Sequence, residues 1–165
     1  MEAVPPSTLR QHHLNPCMLI ASRDDIRVIT LLGSCVSVCL WDSRLGAGGI
    51  NHYMLPLWNG EGLPTPKYGN VAIEKLIQKM LDLGSRKEDL IAKCFGGANV
   101  IGDPGTGVTI GTRNIALADE VLAIHQIPVV AREVGGLQGM KIIFNTKTGV
   151  VLAGRLVAPI RSAPL

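Results

Sequence analysis

Cys35 follows a Gly33-Ser34 step, and His52 comes seventeen residues later. A free thiol is only a few per cent thiolate near neutral pH. An imidazole that takes its proton turns it into a nucleophile toward a carbonyl carbon. Such a pair forms a thioester and returns the proton to the leaving group. The backbone N–H groups of Ser34 and Cys35 are candidates for holding the oxyanion. The imidazole also needs a partner on its second nitrogen. Residues 26–41 contain no acidic side chain, but Thr30 offers a hydroxyl. A neutral partner fixes the tautomer without strongly stabilising imidazolium, and that suffices for a thiol, which is far more acidic than serine.

The competing reading of any free cysteine is a small buried hydrophobe, and it applies to Cys17, Cys35, Cys39 and Cys94 alike. No C-x-x-C pair exists, so a zinc ribbon or thioredoxin-like motif is excluded. His12-His13 with Cys17 reads as a solvated pair rather than a metal site, and no cofactor is expected. A Gly-x-Ser-x-Gly elbow is absent, which removes a serine hydrolase from consideration. The run Gly102-Asp-Pro-Gly-Thr-Gly107 lacks the Gly-Lys-Ser/Thr ending of a P-loop, so its glycines are read as backbone turns.

The elements that must position Cys35 and His52 are strands. Residues 18–21 and 26–32 are short β-branched runs flanking a polar turn at 22–25. Residues 36–41 and 49–54 follow as a hairpin. With a tight turn centred on Ser43-Arg44, Cys35 falls directly opposite His52 on one face of the ladder. Opposed Cβ atoms lie about 4.5–5.5 Å apart, and a one-residue slip would put the two side chains on opposite faces. Residues 56–66 form a long loop with an exposed Trp58. Ile73, Leu76, Ile77, Met80 and Leu81 lie on one helical face, with Asn70 as N-cap and Gly84 as stop. A second helix is expected over 112–126, with Ala118, Val121 and Leu122 inward and His125 at the rim. Residues 90–95, 128–134, 140–146 and 149–156 complete the strands. Strands and helices interleave without strict βαβ alternation, which points to an α+β fold with mixed sheets.

A chain of 165 residues with 47% hydrophobic content forms one domain, read here as 17–160 behind a proline-rich arm over 1–16. No apolar run reaches the length of a membrane span, and the N-terminus has no apolar core of a secretory signal. A cytoplasmic protein without structural disulfides is expected. The net charge of +3 is dispersed and aromatic residues are 4%, so nothing recommends nucleic-acid binding.

Two stretches carry a family resemblance: Thr30-Leu-Leu-Gly-Ser-Cys35-Val-Ser-Val and Gly48-Gly-Ile-Asn-His52-Tyr-Met-Leu-Pro56. With the Tyr68-Gly step, Gly96-Gly-Ala98, Ile110-Gly-Thr-Arg-Asn114 and Gly135-Gly136, all in family order, the chain resembles CheD. CheD is the chemoreceptor glutamine deamidase of chemotaxis. The resemblance implies Cys35 as nucleophile, His52 as general base and acid, and Thr30 as orienting hydroxyl. It implies a four-layer α/β/β/α arrangement similar to bacterial Cys-His deamidase toxins. The implied substrates are glutamines on the cytoplasmic helices of methyl-accepting receptors, converted to glutamate with loss of ammonia. A CheC-type phosphatase is the implied second partner. The alternative is a regulatory binding module for that phosphatase and receptor helices, without turnover. One departure stands out: the family's Gly-Arg step after Gly135-Gly136 is Gly139-Met140 here, which removes a charge and a fork of donors.

Overall fold

A computed structural model describes residues 9–101 and 107–157. Its strands are β1 (Arg10–His13), β2 (Leu19–Ser22), β3 (Ile26–Leu32), β4 (Val36–Asp42), β5 (Ala47–Asn51), β6 (Leu90–Gly96), β7 (Val129–Val134), β8 (Met140–Asn145) and β9 (Val151–Arg155). Two α-helices, α1 (Gly69–Asp82) and α2 (Ile110–Ile124), complete the described elements with one short 3-10 turn. The strands form a four-stranded sheet, β1-β3-β8-β9, and a five-stranded sheet, β2-β5-β4-β6-β7. Each is mixed: β1 runs parallel to β3 and β7 parallel to β6, while the remaining pairs are antiparallel.

The central strand β4 shows why the layers stack as they do. Val36, Val38 and Leu40 point to the helices, while Cys39 points to the other sheet. A strand covered on both faces loses polar alternation and reads as a continuous apolar run. One core lies between the five-stranded sheet and the helices and takes in Ile73, Leu76, Met80, Leu117 and Leu122. The second lies between the sheets and takes in Ile26, Val28, Leu32, Met140, Ile142 and Phe144. The α+β class with two mixed sheets therefore stands. Both helices pack on the five-stranded sheet. Among the described residues the layers run helix, sheet, sheet, and the expected outer helical layer over the four-stranded sheet has no counterpart.

The helices follow their sequence patterns with shifted starts. Asn70, expected as N-cap, instead accepts the Trp58 N–H at 3.0 Å and ties the 56–66 loop to α1, whose cap position is Tyr68. Gly84 ends that helix at φ +108°, a conformation that glycine alone adopts freely. The second helix begins before Thr112, because Thr109 and Thr112 form a reciprocal capping box.

The N-terminal arm needs correction. Arg10–His13 pair in parallel with Ile26–Ile29, and Leu14 is buried in the inter-sheet core. This strand, Arg-Gln-His-His, has no apolar signal because its bonds to the β3 edge are made by main chain. Residues 1–8 lie outside the described residues, as does the 102–106 part of the glycine-rich run.

Candidate active site

The hairpin of β4 and β5 closes in a register two residues from the expected one. Asp42 pairs with Ala47, Cys39 with Ile50, and a last isolated bridge joins Val36 and Tyr53. The turn is longer than the tight one assumed because Asp42 organises it. Its Oδ1 accepts the N–H groups of Arg44 and Leu45 at 2.9 and 3.2 Å, and its carbonyl accepts Gly46 N–H at 2.9 Å. A shift of two preserves the face, since side chains alternate with period two. Continuing the ladder from Val36–Tyr53 puts His52 opposite Ser37 and Cys35 on the neighbouring diagonal. All three share the inter-sheet side with Cys39.

His52 is 2% exposed and Thr30, on the facing sheet, is 3% exposed. His52 Nδ1 and Thr30 Oγ1 are 2.7 Å apart, and the same hydroxyl donates to Leu14 O at 2.9 Å. A threonine hydroxyl has one proton. With that proton on Leu14, Oγ1 accepts from His52, so Nδ1 carries the hydrogen and Nε2 is left as the basic nitrogen. The backbone of His52 is held on both sides: its N–H donates to Met18 O at 3.1 Å and its carbonyl accepts Cys17 N–H at 2.8 Å. Burial lowers the imidazole pKa from 6.5 to about 4, so the ring is neutral at physiological pH.

Cys35 is half-buried at the turn into β4. Burial raises its thiol pKa, and nearby Cys17 adds to the rise. Its own backbone N–H opposes it. Thiol and imidazole are thus both neutral at rest, and proton transfer belongs to the moment of attack rather than to a preformed ion pair. The backbone around the cysteine is clamped from β6. Gly97 N–H donates to Cys35 O at 2.8 Å and Ala98 N–H to Gly33 O at 2.9 Å. Gly96, at φ +99°, comes so close that a Cβ there would lie 2.2 Å from Cys35 O. The sequence motif Gly96-Gly-Ala98 is therefore the platform under the cysteine loop. Among the described residues, no backbone or side-chain oxygen accepts from the amides of Ser34 or Cys35, and the Cys35 N–H lies on the side of its own sulfur, where an oxyanion would form. Ser34 also lines an open cavity of about 480 Å³ with Val100, Ile110 and Arg113.

Other residues singled out by sequence fall elsewhere. Cys39 and Cys94 are buried in the two cores, the fate of most free cysteines. Cys17 lies half-exposed with its sulfur 3.4 Å from Met54 Sδ. Trp58 is half-buried rather than exposed, its Nε1 donating to Glu61 O at 2.9 Å. His125 sits at the rim, 2.7 Å from Glu74 on α1. No group of three metal-ligating side chains occurs among the described residues. Met140 is not at a surface that meets a partner: it is fully buried between the sheets. Its cross-strand neighbour is Arg155, whose Nη1 donates to Gly135 O and Gln138 O, each at 2.9 Å.

One residue of the site had no role assigned from sequence. Asn114, on α2, is completely buried, and its Nδ2 donates to Ser34 O and Met54 O, both at 3.0 Å. Its placement in Ile110-Gly-Thr-Arg-Asn114 was the only signal. A polar side chain on the inner stripe of an otherwise apolar helix face is the pattern that marks such a residue.

Fold and geometry together define a class: an α+β sandwich that sets a cysteine and a threonine-pinned histidine on the inter-sheet side of one hairpin. Comparison with known proteins narrows the class. The family model described as "CheD chemotactic sensory transduction" matches residues 54–155. The chain is 53% identical to the probable chemoreceptor glutamine deamidase CheD of Trichlorobacter lovleyi, over 90% of this chain and 92% of that protein. It is 43% identical to the correspondingly named protein of Sulfurimonas denitrificans, over 82% of this chain and 86% of that protein. A solved Neisseria meningitidis structure covers 78% of this chain and 63% of its own at TM-score 0.44 and 11% identity, a likeness too distant to carry an argument. The chain belongs to the CheD family. No helix among its described residues is long and apolar enough to cross a membrane.

Proposed function

We propose that this chain is a glutamine deamidase acting on the cytoplasmic helices of methyl-accepting chemoreceptors, with Cys35 as nucleophile and His52 as base and acid. The observation that carries the reading is the Thr30 hydroxyl committed to Leu14 O, which leaves His52 Nε2 basic within a family whose relatives are named deamidases. As Sγ attacks the carboxamide carbon, Nε2 takes the thiol proton and the carbonyl oxygen becomes an oxyanion. In this reading the Ser34 and Cys35 amides stabilise it. Collapse expels ammonia, which leaves with the proton from His52, and a thioester remains. Water, deprotonated by the same nitrogen, then releases glutamate and restores the thiol. A pKa near 4 makes the transient imidazolium a strong acid toward the departing amine. The reading includes a CheC-type phosphatase as a partner that competes with receptors for the same surface, on the strength of the family resemblance.

Mass spectrometry of a receptor cytoplasmic fragment tests this. Incubation with the protein is expected to convert specific glutamines to glutamate with ammonia release, and Cys35→Ala or His52→Ala to abolish it. Conversion that survives both substitutions refutes the assignment. A Cys35→Ala protein that binds the fragment like the parent, where the parent itself converts nothing, supports the binding-module alternative.

A further inference from the structure

The β4–β5 ladder ends at the Val36–Tyr53 bridge, one residue beyond Cys35 and one beyond His52. Past that point the two segments need to part if a substrate is to reach the sulfur; Cys35 O turns to Gly97 N–H, while Ser34 O and Met54 O have no main-chain partner among the described residues. Asn114 supplies the missing connection. Its Nδ2 carries two hydrogens and spends one on each carbonyl at 3.0 Å. Because both acceptors are carbonyls, only the NH2 end of the amide fits toward them, and Oδ1 is left without a partner among the described residues. Asn114 is also fixed from the other side, since its own carbonyl accepts the Tyr53 hydroxyl at 2.5 Å.

The consequence lies in the peptide unit that joins Ser34 to Cys35. A trans peptide is planar, with C=O and N–H on opposite sides. Fixing the direction of Ser34 C=O therefore fixes the direction of Cys35 N–H, pointing it away from α2. The next peptide is fixed independently by Gly97 N–H on Cys35 O. A hydrogen bond to the carbonyl also polarises the unit and strengthens its N–H as a donor.

We propose that Asn114 is a positioning residue of the deamidation reaction: by holding Ser34 and Met54, it aims the Cys35 amide at the oxyanion. This rests on the thioester reading above. Asn114 touches no reacting atom and acts through the Ser34–Cys35 peptide.

Asn114→Ala, with Asn114→Ser as a smaller-donor variant should alanine fail to fold, separates this role from simple support of the fold. Two rates are compared: deamidation of the receptor fragment, which forms an oxyanion, and alkylation of Cys35 by iodoacetamide, which forms none. The expected result is a kcat about 10- to 100-fold lower, below the full loss of an oxyanion donor because the effect is indirect, with KM and the alkylation rate changed less than about threefold. Parallel loss of both rates, or labelling of Cys39 and Cys94, would mean a structural role and overturn the proposal, as would an unchanged kcat. A glutamine-mimicking peptide aldehyde, which forms a thiohemiacetal on Cys35, keeps the test separate from the substrate assignment. A parent that forms this adduct but leaves receptor glutamines intact refutes the substrate. The adduct's weakening in Asn114→Ala then supports the positioning role, and its persistence overturns it.

Discussion

Replacing Thr30 by valine removes one oxygen and little else. Valine has nearly the same shape and an equal preference for strand, so β3 and its pairing with β8 are kept. What is lost is the acceptor for His52 Nδ1–H and the donor to Leu14 O, in a place where Thr30 is 3% and His52 2% exposed. Each buried group left unpaired costs roughly 1–3 kcal/mol. Leu14 lines a small cavity with His13, Asn15 and His52, and local relaxation there puts the expected total at about 2–4 kcal/mol. The catalytic effect follows from charge. A hydrogen bond is worth roughly 0.5–1.5 kcal/mol between neutral groups and roughly 1.5–3 when one is charged. The bond to His52 thus strengthens by about 1–2 kcal/mol as imidazolium forms, which is about 5- to 30-fold in rate. Free exchange of the proton between ring nitrogens adds to this, and a kcat about 10- to 100-fold below the parent is expected. Thr30→Ser keeps the hydroxyl and should stay within about threefold. The assay is ammonia release from a receptor fragment, with urea unfolding followed by Trp41 and Trp58 fluorescence to establish the folded fraction. A folded Thr30→Val protein with parental kcat, or a serine variant as impaired as the valine one, refutes the orienting role.

Two further outcomes follow from burial. His52 has a pKa of about 4 in the fold against 6.5 for an ordinary histidine, so between those values the unfolded chain binds more protons than the native one. Stability therefore rises with pH across this window and is lost as pH falls from about 6.5 to about 4, by up to about 3 kcal/mol. Urea titrations across that range should show the slope in the parent and a flatter profile in His52→Asn; equal slopes refute it. Cys39 and Cys94 are buried with raised thiol pKa values, Cys94 up to about 12. Iodoacetamide near neutral pH is expected to spare Cys39 and Cys94 until urea is added; at Cys35, whose raised pKa leaves little resting thiolate, alkylation ahead of Cys17 depends on His52 Nε2 taking the proton as Sγ attacks, so it should slow in His52→Ala. Equal labelling of all four cysteines in the folded protein counts against an activated Cys35.

Much of this protein follows from local pattern. The apolar stripe from Ile73 to Met80 requires a helix with one buried face. The Cys35 and His52 spacing puts both on one side of a hairpin, and this survived an actual register two residues from the assumed one, because side-chain direction along a strand has period two. The turn itself was not legible, since it depends on how Asp42 folds back on Arg44 and Leu45. Arg10–His13 were unreadable for a related reason: an edge strand held by main-chain bonds leaves no trace in its side chains.

The site as a working unit belongs to the tertiary structure. Thr30 and His52 lie on different sheets, and only face-to-face packing brings Oγ1 to Nδ1. The direction of that bond depends in turn on Leu14, from a segment expected to be loose. Met140, noted from sequence only for the charge it lacks, proves to be core between the sheets, with Arg155 across the ladder. Asn114 reaches Ser34 and Met54 from a helix that is remote in sequence. Period and spacing determine which way a side chain leaves its own backbone. What it meets across the sandwich is decided by packing, where the nearest neighbours are set by the stacking of layers and not by the order of residues.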